Sequence, residues 1–188
     1  DFTALMDVHL MGAVYCTKAA WPIMLEQGYG RIVHTTSAAG LFGTHGHTNY
    51  SSAKIALVGF MNALKQEGTS KNVLVNCVAP MALTRMTEDV MSPKLAPKMK
   101  PEYVTALMAW LCSEESTLAG EIIEAGMGYY SKVQISEAPG YIFKGDTVPS
   151  AEQIGEHWRE ISDMTGALPY SGADDLIRAV FGKLKSVS

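Results

Sequence analysis

Tyr50 and Lys54 stand four residues apart in the stretch Asn49-Tyr50-Ser51-Ser52-Ala53-Lys54. That stretch reads as part of a helix, where residues at i and i+4 share one face with Cβ atoms roughly 5–6 Å apart. A phenol and an ammonium are thereby brought to one place. Ser37 lies upstream, at the end of a short β-branched run, and adds a hydroxyl. These three groups suit the interconversion of a carbonyl and an alcohol. Reducing a ketone delivers a hydride to carbon and a proton to oxygen, and the proton donor must be a weak acid held beside the carbonyl. A phenol ordinarily ionises at about pH 10, and a nearby ammonium favours the phenolate. A serine hydroxyl can hold the substrate oxygen for transfer. No side chain supplies hydride, so a nicotinamide is implied. A lone Tyr-x-x-x-Lys occurs on many helix faces without any chemistry. The surrounding elements are what raise this one to a candidate site.

Those elements alternate. Residues 3–27 keep a helical period through Leu5, Val8, Gly12, Cys16, Ala19, Ala20, Ile23 and Met24, with a kink expected at Pro22. Gly28 and Gly30 stop that helix. Residues 31–36 are β-branched and apolar, a buried strand, followed by a flexible loop over 39–47. A second long helix is expected over 49–67, a second buried strand over 73–79 stopped by Pro80, a helix over 100–112 and a third strand over 120–125. Strands separated by long helices imply crossovers and a parallel sheet, and such a sheet gathers ligands at the carboxyl ends of its strands. Ser37, Pro80 and Gly126 fall at those ends. From about residue 130 the texture changes to a polar connector. Ser150-Ala151-Glu152-Gln153 has the pattern of a capping box opening a helix to about 164, and a last helix is expected over 171–185. The fold expected is α/β: the C-terminal half of a Rossmann-like, doubly wound parallel sheet over residues 1–129, with a helical appendage over 130–188.

Composition narrows the partners. With 47% hydrophobic and 18% charged residues, the chain can build a sizeable core. A net charge of −4 without a basic patch argues against nucleic acid. No apolar run is long enough to span a membrane, so no membrane partner is expected. The three cysteines, Cys16, Cys77 and Cys112, fit no paired framework and read as small buried hydrophobes in a reducing compartment. His34, His45 and His47 lack companion carboxylates or thiols, so no metal is expected. The loop pair His45 and His47 reads as solvated or as lining a substrate entrance. Met81, Met86 and Met91 could touch an acyl chain, though flexible core filler is the commoner use of methionine. Arg85, Lys94, Lys98 and Lys100 could attract phosphates, or form a solvated face.

Gly30-Arg31-Ile32-Val33-His34-Thr35-Thr36-Ser37, Asn49 to Lys54, and Asn76-Cys77-Val78-Ala79-Pro80 resemble the second half of a short-chain dehydrogenase/reductase, over residues 1 to about 128. The resemblance implies Tyr50 as general acid/base, Lys54 as ribose anchor and modulator of the phenol, and Ser37 as partner of the substrate carbonyl. It also implies that the loop Pro80, Met81, Ala82, Leu83 and Thr84 lies beside the nicotinamide. A closer likeness within the family is to dehydrogenases that oxidise (3R)-hydroxyacyl-CoA to 3-ketoacyl-CoA with NAD. Val8-His9-Leu10, Ala19-Ala20-Trp21, Tyr29-Gly30-Arg31-Ile32, Thr84-Arg85-Met86-Thr87, Lys100-Pro101-Glu102-Tyr103-Val104 and Trp110-Leu111-Cys112 carry it, with the Trp158 tail similar more loosely. His9 stands where the family usually has an asparagine that holds a relay water, largely through its backbone. His9 is either the counterpart of that group or a helix-face histidine at an inter-helix contact. Met81 replaces the usual glycine after Pro80.

The resemblance implies NAD or NADP, with NAD favoured, an acyl-CoA-like substrate, and a homodimer or tetramer formed through helices 3–27 and 49–67. It implies a cytoplasmic protein, peroxisomal in a eukaryote. A 3-oxoacyl carrier-protein reductase or a steroid/alcohol reductase would use the same scaffold. A non-catalytic docking half-domain is the alternative of another class. No Gly-x-x-x-Gly-x-Gly or Gly-x-Gly-x-x-Gly occurs in the 188 residues. A dinucleotide diphosphate needs such a turn at a helix N-terminus, so the chain is expected to be the C-terminal portion of a longer enzyme. The 188-residue chain by itself is expected to bind NAD negligibly; micromolar binding in a calorimetric titration would overturn this.

Overall fold

The computed structural model describes residues 1–83, 94, 96–145 and 147–185. Two compact units emerge, residues 1–133 and 134–188. In the first, helices α1 (Phe2–Met6) and α2 (Gly12–Gln27) flank a π-helical turn over Asp7–Met11. Strand β1 (Gly30–Thr35), helices α3 (Ala38–Phe42) and α4 (Thr48–Gly68), strand β2 (Val73–Pro80), helix α5 (Glu102–Leu111) and strands β3 (Ile122–Gly126) and β4 (Tyr129–Val133) follow. The first helical region runs on through Pro22, and its irregular stretch is the π turn. Gly28 ends α2 at φ 66°, a left-handed cap that glycine enters without steric penalty. The loop expected over 39–47 contains a short helix, α3, because Ser37 caps it.

The sheet order is β1-β2-β3-β4. The first three strands are parallel, with Gly30 opposite Val73 and Cys77 opposite Ile122. β4 pairs antiparallel with β3, so the sheet is mixed where a parallel one was expected. The polar texture that begins near residue 130 hid this edge strand, whose residues are partly exposed. The β3–β4 hairpin turns through Met127 (φ 55°) and Gly128 (φ 80°). Two positive φ values between paired strands define a type I′ turn, which favours Asn-Gly.

β2 is buried on both faces, as its unbroken apolar sequence requires. On one face Val75 and Cys77 pack with Val58, Met61 and Leu64 of α4, with Trp21 of α2 against them. On the other, Val78 packs with Ala125 and Leu111 of α5. Asn76 is the polar exception. Its amide donates to the Leu118 carbonyl at 2.8 Å and accepts from the Glu121 N–H at 3.0 Å. Helices thus cover both sheet faces, and the carboxyl ends of β1, β2 and β3 lie along one edge. β1 closes one side of the described sheet. Beside it, between α2 and α4, lies a cavity of about 510 Å3 lined by His9, Thr17, His34 and Lys54.

The second unit contains helices α6 (Ala151–Glu156), α7 (Trp158–Ile161) and α8 (Ala173–Lys185). The capping box forms as its sequence predicts, with Gln153 N–H donating to Ser150 Oγ and Ser150 N–H to Gln153 Oε1. The single helix expected over 150–164 is instead two, broken at His157. That imidazole stacks on Tyr141 with centroids 4.1 Å apart.

Methionine is a poor occupant of a left-handed position, which costs a residue with a Cβ roughly 1–2 kcal/mol. Met127→Asn is therefore expected to raise the thermal midpoint by an amount worth about 0.5–1 kcal/mol. A lowered midpoint in scanning calorimetry would mean that the Met127 side chain contributes more than its backbone costs.

Candidate active site

Tyr50 sits in the first turn of α4, with two imidazoles near its ring. His9, carried by the π turn, meets it edge-on with centroids 5.2 Å apart and planes at 87°. His47, at the N-terminus of α4, stands at 6.4 Å and 75°. The Lys54 ammonium lies 5.6 Å from the centroid of the Tyr50 ring, within cation–π range. The i, i+4 spacing has thus put phenol and ammonium on one face.

Lys54 is only 7% exposed. One N–H of its ammonium donates to the Thr35 carbonyl at 2.8 Å, at the end of β1. Its own backbone carbonyl accepts from Thr36 Oγ1 at 2.7 Å, in a fully buried contact. Burial makes the charged ammonium harder to keep and lowers its ionisation below the ordinary lysine value. His9 is also pushed below the ordinary imidazole value, first by burial and then by the positive charge of Lys54. Its ring is therefore neutral at pH 7.

Ser37 is extended at φ −162° and ψ 150°, and caps α3 by accepting from Ala39 N–H at 3.2 Å. That bond uses an acceptor site of the hydroxyl. Its single donor remains to meet a substrate oxygen. The loop after β2 lies at the same carboxyl edge. Met81 N–H donates to the Ala125 carbonyl at 2.8 Å and Leu83 N–H to the Met99 carbonyl at 2.7 Å. A Cβ on Gly126 would stand 2.1 Å from the Met81 carbonyl oxygen, so only glycine lets β3 approach this loop. Met81 takes the place of a glycine without a left-handed backbone: among the described non-glycine residues only Asn72 and Met127 have positive φ.

The geometry brings His9, Tyr50 and Lys54 into contact range and sets Ser37, Pro80, Met81, Ala82 and Leu83 along the same sheet edge. Thr84, Arg85, Met86 and Met91 lie outside the described residues. His34 is buried and lines the cavity beside β1, with its ring centroid 5.3 Å from that of Phe60. His47 Nδ1–H donates to the His45 carbonyl at 3.1 Å. Sequence reasoning missed Thr35 and Thr36 as partners of Lys54. Their contacts span 19 and 18 residues respectively, and no local pattern encodes them. It also left His47 as a loop residue, although its i, i+3 spacing to Tyr50 is readable.

A dinucleotide would meet a mixed reception here. A buried ammonium with donors beyond the one given to Thr35, beside a phenol and a serine O–H, suits a ribose diol and a reacting oxygen. The glycine turn that would hold the diphosphate is not in the sequence. The nicotinamide-ribose half fits these residues, and the diphosphate half has no counterpart among them.

A mixed sheet with three parallel strands, helices on both faces and a serine–tyrosine–lysine set at its carboxyl edge is the framework of a nicotinamide-dependent dehydrogenase. The sequence profile of the short chain dehydrogenase family matches residues 1–94. The chain is 39% identical over 186 residues to peroxisomal multifunctional enzyme A of Dictyostelium discoideum, covering 99% of this chain and 42% of that protein. It is 41% identical over 167 residues to a short-chain type dehydrogenase/reductase of Mycobacterium tuberculosis, covering 89% of this chain and 58% of that protein. In three dimensions it matches full-length peroxisomal multifunctional enzyme type 2 of Drosophila melanogaster with a TM-score of 0.91 at 30% identity, over all of this chain and 35% of the other. This chain belongs to the short-chain dehydrogenase/reductase family. It spans about two fifths to three fifths of the length of the first two relatives.

The burial of Lys54 has a consequence for stability. Because its ionisation is lowered on folding, the unfolded chain binds this proton more tightly than the folded one. The cost of burying the charge is full below the folded titration and vanishes above the ordinary lysine range. Lys54→Met keeps the stem and removes the charge. Its thermal midpoint is expected to exceed that of the parent chain at pH 7, with the difference shrinking as the pH is raised toward about 10. A lower midpoint at pH 7 would show that the bond to Thr35 outweighs the cost of burial.

Proposed function

We propose that this chain carries the chemical half of an NAD(P)-dependent oxidoreductase site that interconverts a 3-hydroxyacyl-CoA and the corresponding 3-ketoacyl-CoA, with NAD the favoured cofactor. The observation that carries the reading is the buried Lys54 ammonium beside the Tyr50 ring, on the edge where Ser37 ends β1. The relatives named as peroxisomal multifunctional enzymes support the substrate class.

In the oxidising direction, the bound nicotinamide supplies the acceptor for the hydride that leaves the carbinol carbon. Tyr50, as phenolate, takes the hydroxyl proton, and in the reverse direction its phenol returns it. Ser37 donates its O–H to the substrate oxygen and holds it within reach of Tyr50. Lys54 stabilises the phenolate and offers its remaining donors to the ribose hydroxyls. His9, neutral and edge-on to Tyr50, buttresses the phenol and stands where a relay to solvent would begin. Pro80, Met81, Ala82 and Leu83 would line the nicotinamide's place at the carboxyl edge of the sheet.

The diphosphate is assigned to residues outside these 188. The open side of β1, with its cavity, supports a further strand there; an apolar strand edge left bare invites aggregation. Exposed Val8, Tyr15 and Ile23 on the first helical region and Ile55 on α4 support pairing of two copies through these helices. No helix of the described residues is long and apolar enough to cross a membrane. The reading places the protein in the cytoplasm, or in the peroxisome of a eukaryote.

In the full-length protein, Tyr50→Phe is expected to lower turnover of 3-hydroxyacyl-CoA by at least about 10²–10⁴-fold while leaving NAD affinity nearly intact. Retained turnover would remove Tyr50 from the chemistry. Faster turnover on acyl-carrier-protein or steroid substrates than on acyl-CoA would redirect the substrate assignment.

A further inference from the structure

Ser37 and Lys54 belong to different elements, and their relative placement is fixed at one seam. The turn that Ser37 caps, α3, lies directly on the backbone of α4 at Lys54. A Cβ built on Gly40 would stand 2.7 Å from Lys54 Cβ, 2.9 Å from the Ile55 nitrogen and 3.0 Å from the Lys54 carbonyl carbon. Two of these three atoms are backbone and cannot rotate aside. Gly40 is not among the glycines with positive φ, so its backbone suits any residue and space alone excludes a side chain. Gly40 N–H and Leu41 N–H both donate to the Ser37 carbonyl, at 2.8 and 3.0 Å, which ties the contact to the serine.

A second bond crosses the same seam. Thr36, 1% exposed, gives its hydroxyl proton to the Lys54 carbonyl at 2.7 Å. Thr35 takes the Lys54 ammonium at 2.8 Å. Three consecutive residues, Thr35, Thr36 and Ser37, therefore meet Lys54 at its head, meet it at its backbone, or cap the turn that lies on it.

We propose that Gly40 and Thr36 are positioning residues, which seat the Ser37-capped turn on α4 at Lys54 and thereby set the Ser37 hydroxyl relative to Tyr50 while keeping Lys54 buried. Neither touches substrate or cofactor. A methyl group at Gly40 must push α3 away from α4 and carry Ser37 with it. A misplacement of about 1 Å at a reacting group can cost 10²-fold in rate. The catalytic consequence rests on the function proposed above, whereas the seating of α3 and the burial of Lys54 do not.

The test uses the full-length protein with 13Cε-labelled lysine, the Lys54 signal being identified by its loss in Lys54→Met. In Gly40→Ala, the Lys54 titration midpoint is expected to move up toward that of an ordinary lysine as water reaches it. Turnover is expected to fall by about 10²-fold, with KM and the NAD dissociation constant nearly unchanged. Thr36→Val, nearly isosteric, should move both readouts in the same directions, and Thr36→Ser should restore them. Should Gly40→Ala fail to fold, the Thr36 pair decides alone. An unmoved Lys54 midpoint in Gly40→Ala or Thr36→Val overturns the proposal. So does a Thr36→Ser variant as impaired as Thr36→Val, because the hydroxyl is then not the acting group. A wild-type protein inactive on 3-hydroxyacyl-CoA, combined with the expected shifts in the Lys54 midpoint, would sink the proposed function and leave the positioning intact.

Discussion

The structure around the site turns on one buried cation. Lys54 is removed from water, which disfavours its charge, yet its neighbours are arranged to use it. Its ammonium reaches the end of β1, its backbone carbonyl takes a threonine hydroxyl, and its stem lies under α3. A charge in such a place has a longer electrostatic reach than one in solvent. It adds to the effect of burial in lowering the ionisation of His9, and it faces the Tyr50 ring. Burial of this kind costs stability and gains directed electrostatics, a trade common where chemistry is done.

The elements that hold Lys54 are themselves fixed by the core. α4 is anchored through Leu57, Val58, Met61 and Leu64, all buried. β2 is buried along nearly its whole length and sets the register of both neighbours. Because these strands are parallel, their carboxyl ends share an edge, and Ser37 and Pro80 arrive there together. The π turn over Asp7–Met11 aims His9 at Tyr50 from a helix that is otherwise regular. π-helical turns are rare and occur mostly as insertions at functional sites. The tight passage of Met81 over Gly126 shows the same logic on the opposite side, where a missing Cβ lets two backbones meet.

Much of this was legible in the chain. Strand and helix order followed from β-branched runs and helical periods, and the glycine stop at Gly28 and the capping box at Ser150 carried local signals. The pairing of Tyr50 with Lys54 is a property of four-residue spacing on any helix, and Ser37 at a strand end follows from the punctuation of the sequence. Of the three cysteines read as buried, only Cys77 is; Cys16 and Cys112 lie in apolar runs yet are exposed. The other readings that failed were those without a local signal. β4 is a partly exposed edge strand whose polar residues resemble a connector. α3 exists because a capping serine closes one turn in what otherwise reads as a glycine-rich loop. The break at His157 has no glycine or proline to announce it.

The sequence by itself therefore determined which chemical groups are available and the local frame of each: a phenol and an ammonium one turn apart, a hydroxyl at a strand end, and strands too apolar to be anything but buried. Helical and strand periods are short-range properties, and neighbouring residues suffice to set them. Only the tertiary structure decided that Lys54 is buried, that Thr35 and Thr36 engage it from 19 and 18 residues away, that His9 meets Tyr50 edge-on, and that Gly40 must be glycine. Each of these depends on what a distant segment places against the residue. Desolvation, charge proximity and steric exclusion arise between surfaces, and those surfaces meet only once the chain has folded.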